Sequence, residues 1–249
     1  MSKAYCASFV ALMMLLGPIS ASQADLIDLT WDDGSGLAVR ATFEQLDARV
    51  MRVTVWNIST SMPVDLDGDT SNQLLTSISF DLGDGIGITN GTAILGAGAA
   101  TVNFDNVPAQ LGPGDDVSAE WGYGNSTQNA PLAYNFITTN QAHSTRFTSG
   151  NLDGPTNLSG PQGGLLASPP LMDIGGLGGI TGPVVFTLDL NDDWNIATFS
   201  PASAVVEFGS DAAFLSNPVV SVPEPGAVAL FAIGGLCLGA ARIRRRLTA

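Results

Sequence analysis

The sequence predicts an all-β fold: an antiparallel β-sandwich of jelly-roll or immunoglobulin-like topology, flanked by a signal peptide and a C-terminal transmembrane helix. Three observations predict it. Runs of β-branched and apolar residues alternate with polar ones at period two, as strands with one covered face require. Clusters of Gly, Pro, Asn and Asp break those runs, and the chain holds 29 Gly and 14 Pro with only 13% charged residues. Apolar segments lie at both ends, while no window between them has the period of an amphipathic helix.

Residues 1–24 come first. Lys3 precedes an apolar stretch from Ala7 to Leu16, then Gly17-Pro18 and the small-residue run Ser20 to Ala24. That charged, apolar, small-residue order is a secretory signal. Ser22 and Ala24 suit the small pockets of a signal peptidase and place its cut between Ala24 and Asp25. The apolar stretch is shorter than the ~20 residues that span a bilayer.

Residues 25–216 form the predicted ectodomain. Leu37 to Phe43 and Val50 to Trp56 read as a strand pair turning near Asp47-Ala48, with Trp56 continuing the alternation into the core. Leu74 to Leu82 sets Ile78 and Phe80 on one face and Ser77, Ser79 and Asp81 on the other. Further strands are expected at Thr101 to Phe104, Ala119 to Tyr123, Ser144 to Thr148, Val184 to Leu190 and Ala204 to Phe208. Asp67-Gly68, Gly83-Asp84-Gly85, Gly112-Pro113-Gly114 and Asp153-Gly154-Pro155 mark turns. Asn151 to Gly182 reads as a long loop crossing the sandwich through Leu165, Leu166, Leu171, Met172 and Ile174. Residues 217–222 read as a linker.

Charge and cysteine content narrow the function. The whole chain carries −14, but between Asp25 and Val222 four arginines oppose 22 acidic residues, for a net −18. Such a surface repels nucleic acid phosphates and anionic headgroups, so nucleic acid is not an expected partner. Cys6 and Cys237 both lie in the terminal segments, which leaves the ectodomain without a disulfide or a thiolate metal site.

Candidate chemistry in the ectodomain is sparse. Asp65, Asp67 and Asp69 place oxygens at every second position, as a calcium loop does. Gly68 falls one position early for an EF-hand, and Thr76 stands where its closing Glu would, so a solvated acidic turn competes. No other cofactor is expected. The pairs Asp32-Asp33, Asp115-Asp116 and Asp192-Asp193 could suggest a hydrolase, but sequence neighbours on a strand face opposite ways, and turn formation explains them better. His143 is the single histidine, with no nucleophile motif beside it, and is expected at the surface. Trp121 and Tyr123, flanked by Gly122 and Gly124, are the candidate platform for a sugar ring. Asn-x-Ser/Thr triplets begin at Asn57, Asn90, Asn125 and Asn157 and mark at most exposed turns.

The chain closes with Pro223-Glu224-Pro225, an apolar stretch over 226–241, and Arg242, Arg244, Arg245 and Arg246. The prolines stiffen the backbone and remove two amide donors, keeping the tripeptide out of any helix. Sixteen apolar residues reach roughly 24 Å as a helix, and snorkelling arginines make up the span. The arginine cluster sets that end on the cytoplasmic side, leaving the ectodomain outside. This three-part tail, residues 223–249, resembles the PEP-CTERM sorting signal of Gram-negative bacteria that make extracellular polysaccharide. The resemblance implies that an exosortase in the inner membrane recognises Pro223, Glu224 and Pro225 while the arginines retain the substrate. It implies a transient stay in the inner membrane, then release or transfer to the cell surface or medium. The expected role is a non-enzymatic surface or matrix protein associated with exopolysaccharide or biofilm. A carbohydrate- or calcium-binding adhesin and a secreted hydrolase are the alternatives.

Overall fold

The computed structural model describes residues 26–61, 73–83, 85–103, 110–125, 133–139, 149–150, 164–171, 178–209 and 213–221. The strands are, in chain order, β1 (Leu26–Asp32), β2 (Ala38–Asp47), β3 (Val50–Asn57), β4 (Leu75–Phe80), β5 (Ile88–Leu95), β6 (Ala100–Val102), β7 (Gly122–Asn125) and β8 (Asn135–Thr138). There follow β9 (Ser149–Gly150), β10 (Leu165–Leu166), β11 (Gly179–Thr181), β12 (Val184–Leu190), β13 (Val205–Phe208), β14 (Ala213–Leu215) and β15 (Val219–Ser221). Among the described residues the only helical pieces are single 3-10 turns, and no helix is long and apolar enough to cross a membrane. Residues 1–24 and 226–241, expected as signal peptide and transmembrane helix, lie outside the described residues.

Two sheets make the body. The first is ordered β15-β1-β2-β3-β12-β5 and the second β6-β11-β10-β4-β8-β7-β9, with β13 on β4 and β14 on β13. Alternation dictates which residues meet between them. In β2 the buried phase is Val39, Ala41 and Phe43; in β3 it is Met51, Val53 and Val55; in β12 it is Val184, Phe186, Leu188 and Leu190. The second sheet presents Ile78, Phe80, Tyr123, Ile137, Val206 and Phe208 to the same core. Phe43 meets Phe80 edge-on at 5.2 Å, and Trp121 meets Phe186 edge-on at 4.8 Å.

Buried amides tie the sheets together where apolar contact cannot. The Asn135 side chain accepts from the Ile88 amide and donates to the Ile86 carbonyl, joining β8 to the start of β5. Asn57 donates to the carbonyls of Gln73 and Leu165 and accepts from the Ser59 amide. Losing either would strand several buried backbone groups at once.

The structure corrects several expectations. The β10–β11 pair is parallel, so the second sheet is mixed rather than purely antiparallel. β3 stays beside β2 in a meander, whereas the third strand of an immunoglobulin fold crosses to the opposite sheet. The stretch expected as a long loop contributes β10 and β11, because Leu165, Leu166 and Ile180 are fully covered. β15 occupies the region expected to be a linker and pairs with β1. β4 is buried on both faces, and its serines satisfy themselves by donating to the Ile137 and Val205 carbonyls. Ala119 and Glu120, expected at the start of a strand, belong to the 3-10 turn Ser118–Glu120. Ser144 to Thr148 lies outside the described residues.

One glycine carries a testable packing claim. A Cβ at Gly124 would sit 1.9 Å from the Phe136 ring, whose far end covers the glycine from the paired strand β8. Gly124→Ala should therefore destabilise the protein by about 1–3 kcal/mol, seen as a lower urea midpoint at unchanged slope. An unchanged midpoint would mean that the ring rests elsewhere.

Candidate functional site

The acidic pairs are used locally. Asp32 accepts from the Gly34 amide, and Asp33 accepts from the amides of Ser35 and Leu37. Asp115 and Asp116 accept from the amides of Gly112 and Ser118, while Asp193 pairs with Arg49 at 2.6 Å. Hydrogen bonds to the ionised form, first from the Ser35 and Ser118 hydroxyls, hold Asp33 and Asp116 below the ordinary carboxylate range. These are turn-forming carboxylates. Asp65, Asp67 and Asp69 lie outside the described residues, as do His143 and Asn157. Among the described residues no group of three or more His, Cys, Asp or Glu is placed to hold a metal ion.

The aromatic assignments exchange places. Trp121 and Tyr123 are each 2% exposed, so neither ring offers a face to a sugar. Glycines make room for packing instead: Gly124 beside Tyr123 receives the Phe136 ring, and a Cβ at Gly91 of β5 would lie 2.6 Å from the Tyr123 ring. The void beside Trp121, lined by Val55, Ile78, Leu165 and Phe186 among others, measures about 10 Å3, the room of a single water. Trp56 is the tryptophan outside the core. It shares the outward phase of β3 with Arg52 and Thr54, and the Arg40 guanidinium lies 5.0 Å over its ring while also pairing with Asp28. Asn57, expected at an exposed turn, is buried, and Asn125 ends β7 with its amide on the Ile88 carbonyl.

Glu120 was not singled out by sequence reasoning. It closes the 3-10 turn Ser118–Glu120, is 6% exposed, and its Oε2 meets no hydrogen-bond donor. Desolvation raises its pKa to about 7. The signal lay in its neighbours, since a lone acid between Ala119 and Trp121 sits next to a core aromatic. Burial of a carboxyl does not by itself make a hydrolytic site.

The remaining candidate is the junction with the tail. Asn217, at φ 57°, and Pro218 turn the chain from β14 to the edge of the first sheet. There Val219, Val220 and Ser221 pair with Thr30, Leu29 and Asp28 of β1. The valines are 69% and 42% exposed, so β15 is held chiefly by backbone pairing rather than by burial. Only Val222 separates its last residue from Pro223. Pro223, Glu224, Pro225 and the four terminal arginines lie outside the described residues.

Residues 221–246 match the PEP-CTERM protein-sorting motif. Comparison with curated proteins and with solved structures yields no match. The tail is thus a PEP-CTERM sorting signal, as its tripeptide, apolar stretch and arginine cluster indicated. It marks the chain as an exported protein targeted to an exosortase, with its processing associated with the membrane.

Proposed function

We propose that this chain is a non-enzymatic protein of the cell surface or extracellular matrix, associated with exopolysaccharide or biofilm. The sorting motif over residues 221–246 carries the reading. Signal peptidase removes residues 1–24 by cutting between Ala24 and Asp25, and the apolar stretch 226–241 holds the precursor in the inner membrane with Arg242 and Arg244 to Arg246 inside. Exosortase then recognises Pro223-Glu224-Pro225 and severs the tail. One feature of the ectodomain favours a structural role over hydrolysis: the acidic pairs are engaged in turns and an ion pair. The strongly acidic surface keeps the protein soluble and away from nucleic acid and anionic lipid.

Intact-mass measurement of the mature protein from its own host reports both cut sites. Replacing Pro223-Glu224-Pro225 by three alanines should leave the full tail attached and the protein in the inner-membrane fraction. Normal maturation of that variant would remove the sorting assignment. Calorimetric heat on adding calcium, or retention by the host's polysaccharide, would instead favour the adhesin reading, with Asp65, Asp67 and Asp69 the first residues to replace.

A further inference from the structure

We propose that exosortase grips the extended backbone of the few residues just before Pro223, whatever their side chains, and that β15, which supplies those residues here, must leave β1 before the tail is cut; the inference rests on the sorting assignment above. The observation behind it is an overlap. Ser221 is the last paired residue of β15, opposite Asp28, and also the first residue of the sorting motif.

Chain length makes the overlap consequential. One extended residue spans at most about 3.6 Å, so Pro223 lies within roughly 7 Å of Ser221, and Ser221 is fixed to a six-stranded sheet. An enzyme that grips a peptide along its backbone needs edge groups on the residues before the cut. In β15 one of those edges is already committed to β1. Releasing the strand frees residues 216–221 behind the tripeptide, adding roughly 20 Å of extended chain.

The fold allows this opening. β15 is three residues long and all of it is exposed, so few apolar contacts are lost. β1 keeps its seven paired positions with β2, and Leu29 and Trp31 stay in the core. A short, exposed edge strand is the kind of element that opens locally without global unfolding. β15 can thus detach for tail release while the rest of the ectodomain stays folded.

The test is a staple. Thr30→Cys with Val219→Cys joins directly paired positions, whose Cα separation in an antiparallel ladder, about 4.5–5.5 Å, suits a disulfide. Made in full-length Cys237→Ser protein in the native host, it is the only thiol pair of the exported chain once Cys6 leaves with the signal peptide. The oxidised form should accumulate with its tail attached, processed at least about tenfold more slowly than either single-cysteine variant, because the competent population falls. Reduction should restore the rate. Inserting six Gly/Ser residues between Ser221 and Val222 should also restore it with the staple closed, which shows that the stapled domain is sound. Equal processing of stapled and single-cysteine chains would overturn the proposal, and so would failure of the insertion to rescue. The triple-alanine variant separates the two claims: if it matures normally the sorting assignment fails, whatever the staple does.

Discussion

Phe43→Ala should lower the stability of the ectodomain by about 3–5 kcal/mol, a large part of the 5–15 kcal/mol that a domain of this size holds. Phe43 is fully buried and meets two rings, Phe80 at 5.2 Å and Phe199 at 4.8 Å. It projects from the first sheet, and Phe80 from the second, so the ring spans the layer between them. Truncation leaves a cavity that the stiff flanking strands close only partly, and it removes aromatic pairing of about 0.5–1.5 kcal/mol beyond area burial. At urea slopes of about 1–3 kcal/mol/M the midpoint should fall by at least about 1 M, and Phe43→Leu should recover most of the loss. A midpoint unchanged by the alanine would mean that Phe43 is not at the centre of the sandwich.

How much of this was legible follows from what alternation encodes. Period two tells which residues share a face, so β2, β3, β12 and β13 were placed within a few residues from sequence. It does not tell which face is covered, nor whether both are. The serines of β4 read as an outward phase, yet Ser77 and Ser79 are buried because other chain covers that face as well. Trp56 is expected in the core as a continuation of the strand's alternation, yet its phase is that of Arg52 and Thr54, which faces outward. Trp121 was assigned to the surface because glycines flank it. Glycine beside an aromatic residue in a strand signals room for rings to lie on the backbone, as Phe136 does on Gly124.

The strands that escaped sequence reasoning failed for different reasons. β5 carries Asn90-Gly91 at its centre, a pair that reads as a turn, and the glycine is there to receive the Tyr123 ring. β10 and β11 are two and three residues long inside a Gly/Pro-rich stretch, too short for any period to register. β15 is a strand only because β1 offers an open edge, a fact of tertiary structure absent from the local sequence. The sorting tail was legible in full because its physics is linear: a stiff tripeptide, an apolar run and a basic stop need no partner from elsewhere in the chain.

Glu120 should make the ectodomain lose stability as pH rises, and Glu120→Gln should remove that loss. In the unfolded chain the carboxyl ionises near its ordinary value of 4.5, whereas the folded protein keeps the proton up to about 7. Between those values the native state binds more protons than the unfolded state, so stability falls as pH rises and the loss is complete above about 7. The full shift corresponds to about 3 kcal/mol. Asp33 and Asp116 act in the opposite sense and elsewhere: their lowered values stabilise the fold above the ordinary 3.8, and that contribution is lost as pH drops below it. The two effects therefore occupy separate windows. Urea midpoints taken from pH 4 to 8 should decline in the wild type beyond pH 4.5 relative to the Gln variant, with the curves level again above about 7. Parallel profiles across that range would show that the Glu120 carboxyl is solvated in the folded protein, and would return the turn at Ser118–Glu120 to the surface.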